Sequence, residues 1–230
     1  MKRPYVICHM ASTVDGKIIA ERWGSSLKKY TKAYEEYHES YQSQAWMVGR
    51  VTMEKDFTEG HRPTPAKAGK TISRSTFIAD EEATWFAIAV DPKGKLGWKK
   101  NEIDGDHIIE ILSDTVSNRY LQYLQNKKVS YVIAGKSKIN FKVALERLHK
   151  HFGIKRLMLE GGGHVNGSLL NAKLVDEISV LIIPIADGAE TSPTTFEITS
   201  DLPKKPATHL KLSDVQKLKN GVVWLKYKAG

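Results

Sequence analysis

One recurrence narrows the possible folds more than any other feature. Short apolar runs rich in β-branched residues alternate with polar or amphipathic stretches along the chain. The runs fall at 5–10, 45–48, 85–90, 107–111, 129–134, 156–159, 175–183 and 222–227. Several are apolar almost throughout, the pattern of strands covered on both faces. Helical spacing appears between them at 26–41, 118–125 and 141–148. In the last, Phe141, Ala144, Leu145 and Leu148 recur at intervals of three and four. Strands alternating with helices predict an α/β fold. The end of the chain differs, because 210–218 and 222–227 flank Lys219-Asn220-Gly221, and Asn-Gly between two runs signals an antiparallel hairpin.

The length, 230 residues, suits a single domain spanning 1–230. Folding at that size buries roughly 70% of the unfolded surface, so the core needs neither disulfide nor metal. Cys8 is the only cysteine. It lies in the apolar run 5–10, where it reads as a small hydrophobe rather than a catalytic thiol. A lone cysteine, no run of about 20 apolar residues and no apolar leader after Met1-Lys2-Arg3-Pro4 together predict a cytoplasmic protein without a membrane partner. The formal charge is +9, from 35 basic and 26 acidic residues. The lysines are scattered as separate doublets, Lys28-Lys29, Lys99-Lys100, Lys127-Lys128 and Lys204-Lys205, which argues against a nucleic-acid surface. A binder of phosphorylated small molecules and a merely solvated basic face both fit this charge. Two loops stand out: 59–82, with Gly60, Pro63, Pro65 and Gly69, and 201–208, with Pro203 and Pro206.

The densest information lies between Leu157 and Gly188. A strand, Leu157-Met158-Leu159, leads into Glu160-Gly161-Gly162-Gly163 and then into a helical pattern, Val165, Leu169 and Leu170. Backbone N–H groups at such a strand–glycine–helix turn can hold phosphate. Glycine is needed where a β-carbon would keep pyrophosphate off the backbone, or where φ is positive. The spacing is neither GxGxxG nor GxxxxGK[ST]. On local sequence alone a phosphate cradle and a ligand-free turn remain equally open.

The run from Glu160 through Leu170, followed by Leu174-Val175-Asp176-Glu177, Pro184 and Gly188, resembles the reductase domain of riboflavin-biosynthesis deaminase–reductases. Two further blocks match in family order. Ala11-Ser12-Thr13-Val14-Asp15-Gly16-Lys17-Ile18 resembles the first strand and its turn. Val48-Gly49-Arg50-Val51-Thr52 resembles the glycine-x-x-threonine that opens a helix beside the cofactor, in wording closer to dihydrofolate reductase. The resemblance spans roughly 4–227. It implies a three-layer, dihydrofolate-reductase-like fold: a mixed, mostly parallel central sheet, helices on both faces and a C-terminal hairpin.

The resemblance also implies roles. The cofactor is NADPH, its pyrophosphate met by the backbone of Gly161, Gly162 and Gly163 and, from the other side, by Thr52 with Gly49 and Arg50. Thr13 matches a position near the nicotinamide and its ribose, and Lys93 lies near where the fold presents the adenosine 2′-phosphate. Asp15, Lys17 and Arg62 are candidates for the substrate and its phosphate, and Asp56 and Glu160 for the chemistry. Asp56 is followed by Phe57-Thr58, where the family carries Asn-Pro. The implied reaction is hydride transfer to a phosphoribosyl-pyrimidine, as in 5-amino-6-(5-phosphoribosylamino)uracil reductase, by a homodimer without a metal. The alternatives are a dihydrofolate or other pterin reductase, with Glu35 or Glu36 as its substrate carboxylate, and a nucleotide-binding protein without turnover.

Overall fold

The structure is a computed structural model that describes residues 2–64, 71–200, 202–203 and 205–230. In chain order its strands are β1 (Tyr5–Thr13), β2 (Ala45–Gly49), β3 (Phe86–Val90), β4 (Glu102–Ile103), β5 (Asp106–Leu112), β6 (Ser130–Ile133), β7 (Arg156–Leu159), β8 (Glu177–Ile183), β9 (Leu210–Lys217) and β10 (Val223–Ala229). The helices are α1 (Leu27–Ser40), α2 (Arg50–Asp56), α3 (Asn118–Asn126), α4 (Phe141–Phe152) and α5 (Gly163–Asn171). Two compact units share these elements: Met1–Pro4 with Gln44–Leu157, and Tyr5–Ser43 with Met158–Gly230. The boundary falls inside β7.

In the first unit β2 pairs with β3, β3 with β5 and β5 with β6, all parallel, and the short β4 adds an antiparallel edge to β5. All five residues of β3, an unbroken apolar run, and all four of β6, which opens with a buried serine, are buried. The side chains of Met53, Leu96, Trp98, Ile108, Leu121 and Tyr131 belong to one closed core. The helix α3 starts where Ser117 accepts the Tyr120 N–H, and α4 where Asn140 accepts that of Val143. The helix α4 runs four residues past its apolar repeat and stops at Gly153, whose left-handed φ of 67° ends it.

In the second unit β1 and β8 are parallel, in register from Ile7 opposite Glu177 to Thr13 opposite Ile183. The strands β8, β10 and β9 then follow antiparallel. That register carries β1 through Ala11, Ser12 and Thr13, past the apolar run that marks it in the sequence. The hairpin turns at Lys219–Gly221, with Asn220 and Gly221 at φ of 58° and 75°. A 3-10 stretch, Ala20–Ser26, precedes α1 and has no counterpart in the sequence reading. Trp23, Tyr30, Leu181, Ile183, Val222 and Trp224 form the unit's own core. Of the loop at 59–82, residues 65–70 lie outside the described residues, and Phe77 bridges to Tyr131 through reciprocal backbone bonds of 3.0 Å. No helix among the described residues is long and apolar enough to cross a membrane.

Candidate functional site

The glycine turn belongs to the second unit. Gly161 has φ of +112°, a conformation that L side chains rarely adopt, and the Gly161–Gly162 peptide is cis. Gly162 is the N-cap of α5 at φ −62° and ψ 175°, with no side-chain cap. The N–H groups of Val165 and Asn166 turn back onto the Gly162 carbonyl at 3.0 and 3.2 Å. Those of Gly163 and His164 have no intrahelical acceptor, as in any first helical turn. The cap residue places no side chain in front of them. With a bare cap and first-turn N–H groups left over, the turn formed by Gly161, Gly162 and Gly163 has the chemistry to fit a phosphate.

Gly163 also has a packing reason to be glycine. A β-carbon there would stand 2.4 Å from the Thr194 carbonyl oxygen, and its own carbonyl accepts the Glu197 N–H at 2.9 Å. Gly167, one helical turn on, is closer still: its β-carbon would lie 2.1 Å from the Glu197 carbonyl oxygen. Two glycines thus seat α5 on the segment 194–197, a packing role that the sequence reading did not separate from phosphate binding.

Glu160 ends the strand that feeds this turn, and its side chain is 10% exposed. Its Oε1 accepts the Tyr34 hydroxyl and bonds His38 Nδ1, each at 2.7 Å. Tyr34 and His38 are one turn apart on α1. Burial, followed by the Glu160 charge, pushes the Tyr34 hydroxyl far up, so it remains a donor. Behind them His9 stacks on Tyr34 at 4.4 Å, bonds the Tyr34 carbonyl through Nε2 at 3.2 Å and meets Ser179 Oγ through Nδ1 at 2.9 Å. Trp224 Nε1 donates to the same Oγ at 2.8 Å. Burial lowers the His9 pKa, and the donors then run in one order: indole to serine, serine to Nδ1, Nε2–H to the Tyr34 carbonyl. Cys8 is fully buried and its thiol is pushed up, first by burial and then by Glu160. It is a core residue.

The turn after β1 brings three of the expected residues together. The buried Thr13 hydroxyl donates to Asp15 Oδ1 at 2.6 Å and accepts the Lys17 N–H at 2.9 Å. Asp15 also accepts the N–H groups of Asp187 and Gly188 at 3.0 and 2.8 Å. These donors, Thr13 first, hold its carboxyl well below the usual range. Lys17 Nζ donates to the Ser192 carbonyl at 2.9 Å. Thr13 and Asp15 therefore brace the chain after β8, whatever else they touch.

The remaining residues lie in the first unit. Gly49 is the N-cap of α2, at φ −74°, and Thr52 stands half-buried one residue past the middle of its first turn. Arg50 and Arg62 both pair with Glu54, the Arg62 contact measuring 2.7 Å. Asp56 is the last residue of α2, on the surface. Where the family has Asn-Pro, Phe57 lays its ring on Trp46 at 4.9 Å, and Thr58 is buried with its N–H on the Met53 carbonyl. Lys93 is exposed in a turn organised by Asp91, which accepts the N–H groups of Lys95 and, at 2.8 Å, Leu96. Burial raises the Asp91 pKa against those donors and the Arg50 charge. Beside it Glu110 is wholly buried, bonded by Trp98 Nε1 and by Tyr120 at 2.8 and 3.1 Å, and raised by burial and by Asp91. Sequence reasoning missed Asp91 and Glu110; an acid inside the apolar run 107–111 was the available signal. Glu35 and Glu36 are exposed on α1, and Glu36 lies 4.0 Å from Lys32.

A mixed, mostly parallel α/β architecture with a glycine turn between strand and helix defines the class, and comparison defines the family. Residues 4–224 match the model of the RibD C-terminal domain, and the chain belongs to that family. It is 31% identical, over 85% of its length and 84% of the relative's, to the 2,5-diamino-6-ribosylamino-4(3H)-pyrimidinone 5′-phosphate reductase of Methanothermobacter thermautotrophicus. The reductase of the same name from Archaeoglobus fulgidus is 28% identical over 88% of this chain and 90% of the relative. The fold is shared with a pyrimidine reductase-like protein from Corynebacterium diphtheriae, with a TM-score of 0.67, 16% identity and coverage of 99% and 92% of the two chains. It is also shared with the riboflavin biosynthesis reductase of Saccharomyces cerevisiae, with a TM-score of 0.61, 17% identity and coverage of 99% and 90%.

Proposed function

We propose that this chain is a reductase of 2,5-diamino-6-ribosylamino-4(3H)-pyrimidinone 5′-phosphate, with NADPH as electron donor. Reductases of this family and fold use a nicotinamide cofactor. The observation that carries the reading is the arrangement from Glu160 to Gly163: a held carboxylate, a positive-φ glycine and a helix whose cap has no side chain. The relatives are named for the diaminopyrimidinone, where the sequence resemblance names the uracil, and both are phosphoribosyl-pyrimidines. The diaminopyrimidinone keeps an exocyclic amine, and the amine with its neighbouring ring N–H offers donors to a carboxylate such as Glu160.

The turn Gly161, Gly162 and Gly163 holds the cofactor's pyrophosphate through backbone N–H groups at the start of α5, whose dipole favours the charge. In the first unit Thr52, with Gly49, opens α2 and is assigned to cofactor phosphate as the family resemblance implies. Arg50 supplies positive charge there, and Lys93 takes the 2′-phosphate. Thr13 and Asp15 fix the turn from which Lys17 serves the substrate, and Arg62 supports its phosphate. Asp56 and Glu160 orient the reacting sugar and ring. When bound, the nicotinamide supplies the hydride that reduces the sugar's first carbon; the protein supplies orientation and electrostatics. The working form is a homodimer, and light scattering that returned the mass of one chain at every concentration would remove that part.

The test is a steady-state assay of reduced-nicotinamide consumption with the diaminopyrimidinone, the corresponding uracil and dihydrofolate, each with NADPH and NADH. The expected result is highest kcat/KM for the diaminopyrimidinone with NADPH. Turnover of dihydrofolate alone would overturn the reading.

A further inference from the structure

We infer that Tyr34 and His38 are positioning residues that hold Glu160 by one oxygen so that the other stays open to the substrate. This rests on the proposed reading of Glu160 as a substrate-contacting carboxylate. Oε1 takes both protein donors, at 2.7 Å each. Among the described residues nothing donates to Oε2, and it is not one of the side-chain oxygens left both buried and unpartnered. A carboxylate kept only for the fold is expected to satisfy both oxygens, because an ionised group has acceptor sites on each and a low-polarity surround penalises an empty one.

The clamp is also built to be stiff. Two rigid rings, four residues apart on one face of α1, converge on a single oxygen and fix the carboxylate's rotation. The helix is itself tied to the sheet, since His9 bonds the Tyr34 carbonyl and is held in turn by Ser179 and Trp224. Tyr34 keeps its proton at any working pH, so one donor is permanent. His38 supplies the second through Nδ1, which an asparagine amide can mimic and a leucine cannot.

Four variants test the inference: Tyr34→Phe, His38→Leu, His38→Asn and Glu160→Gln, each also combined with Glu160→Gln where it is not that change itself. Tyr34→Phe retains the ring that stacks on His9, so it is expected to fold. The expected result is a rise of about tenfold in KM for the pyrimidine in Tyr34→Phe and in His38→Leu, the size of one lost charge-assisted bond. Cofactor affinity, measured separately by fluorescence titration, stays within twofold. His38→Asn recovers most of the loss, and neither Tyr34→Phe nor His38→Leu adds to the defect in the Glu160→Gln background. Unchanged KM in both single variants, while Glu160→Gln is impaired, overturns the positioning role and leaves the reading of Glu160 standing. Glu160→Gln with wild-type turnover overturns both. Equal losses of cofactor and substrate affinity, or losses that add to Glu160→Gln, make the network structural and overturn the inference.

Discussion

Glu160 in the second unit and Glu110 in the first are both held by a tyrosine hydroxyl and a ring nitrogen, yet they are held in opposite ways. Glu110 is 0% exposed, and protein donors reach both of its oxygens. Burial first and the neighbouring Asp91 second push its pKa well above the usual carboxylate range, which favours the neutral form inside the core. Glu160 has both donors on Oε1 and is still partly open. The difference separates a carboxyl closed into the fold from one restrained and left with capacity to bind. Two acids with similar neighbours are told apart by which oxygens those neighbours reach.

The comparison breaks most sharply through activity. Glu160→Gln keeps an oxygen for Tyr34 and His38 and puts an amide donor where an acceptor stood. We expect kcat/KM for the pyrimidine to fall about a hundredfold or more, with thermal stability close to the parent's. Glu110→Ala should do the reverse. It leaves the Trp98 and Tyr120 donors unpaired in the core and opens a cavity, at about 3 kcal/mol of stability by chemical denaturation, while turnover per folded molecule holds. If Glu110→Ala abolished turnover in fully folded protein, or Glu160→Gln unfolded the chain, the division of roles would be wrong.

How much of this was legible depended on whether the signal was contiguous. The glycine run, Thr52 and the Thr13–Lys17 turn sit in short blocks, and the strand runs at 156–159 and 107–111 mark their elements to within a residue or two. Contacts over long separations leave no such trace. Tyr34 and His38 lie 126 and 122 residues from Glu160, on a helix whose own pattern shows only a partly apolar face. The need for glycine at 163 and 167 comes from a segment some thirty residues later that crosses α5. Arg50 and Glu54 carry the i,i+4 spacing of a helical ion pair, but nothing in the sequence announces Arg62 as a second partner of Glu54. Glu110 was hidden differently: an acid in a buried strand is paired by groups from another loop and another helix.

A smaller effect sharpens the contrast between positions within the glycine run itself. Gly162 has a backbone conformation open to any residue, and the structure assigns its bareness to the helix cap. Gly162→Val should lower NADPH affinity at least about tenfold, or 1.4 kcal/mol, in a protein that melts near the parent. Gly163→Ala should instead cost about 1–3 kcal/mol of stability, because its β-carbon meets the Thr194 carbonyl at 2.4 Å. Fluorescence titration and melting curves on both variants read the two effects separately. A Gly162→Val protein with parental affinity would remove the phosphate cradle.

The effect expected to be smallest per pH unit concerns the proton on Glu110. Its pKa in the folded chain is raised, by burial first and Asp91 second, above the value of about 4.3 that a free glutamate has. Between those two values the folded protein keeps a proton that the unfolded chain has released. Stability must then fall as pH rises through that window, by at most about 1.4 kcal/mol per unit. Below the free value both states are protonated and the slope vanishes. Asp15, held well below the usual range by its donors, runs the other way, its contribution lost as pH falls. Glu110→Gln removes only the first of these, since an amide does not titrate. Denaturation of parent and variant from mildly acidic to mildly alkaline pH should show the parent losing stability relative to Glu110→Gln as pH increases. Parallel curves would mean that Glu110 is ionised in the folded protein, and that the two glutamates differ less than their contacts imply.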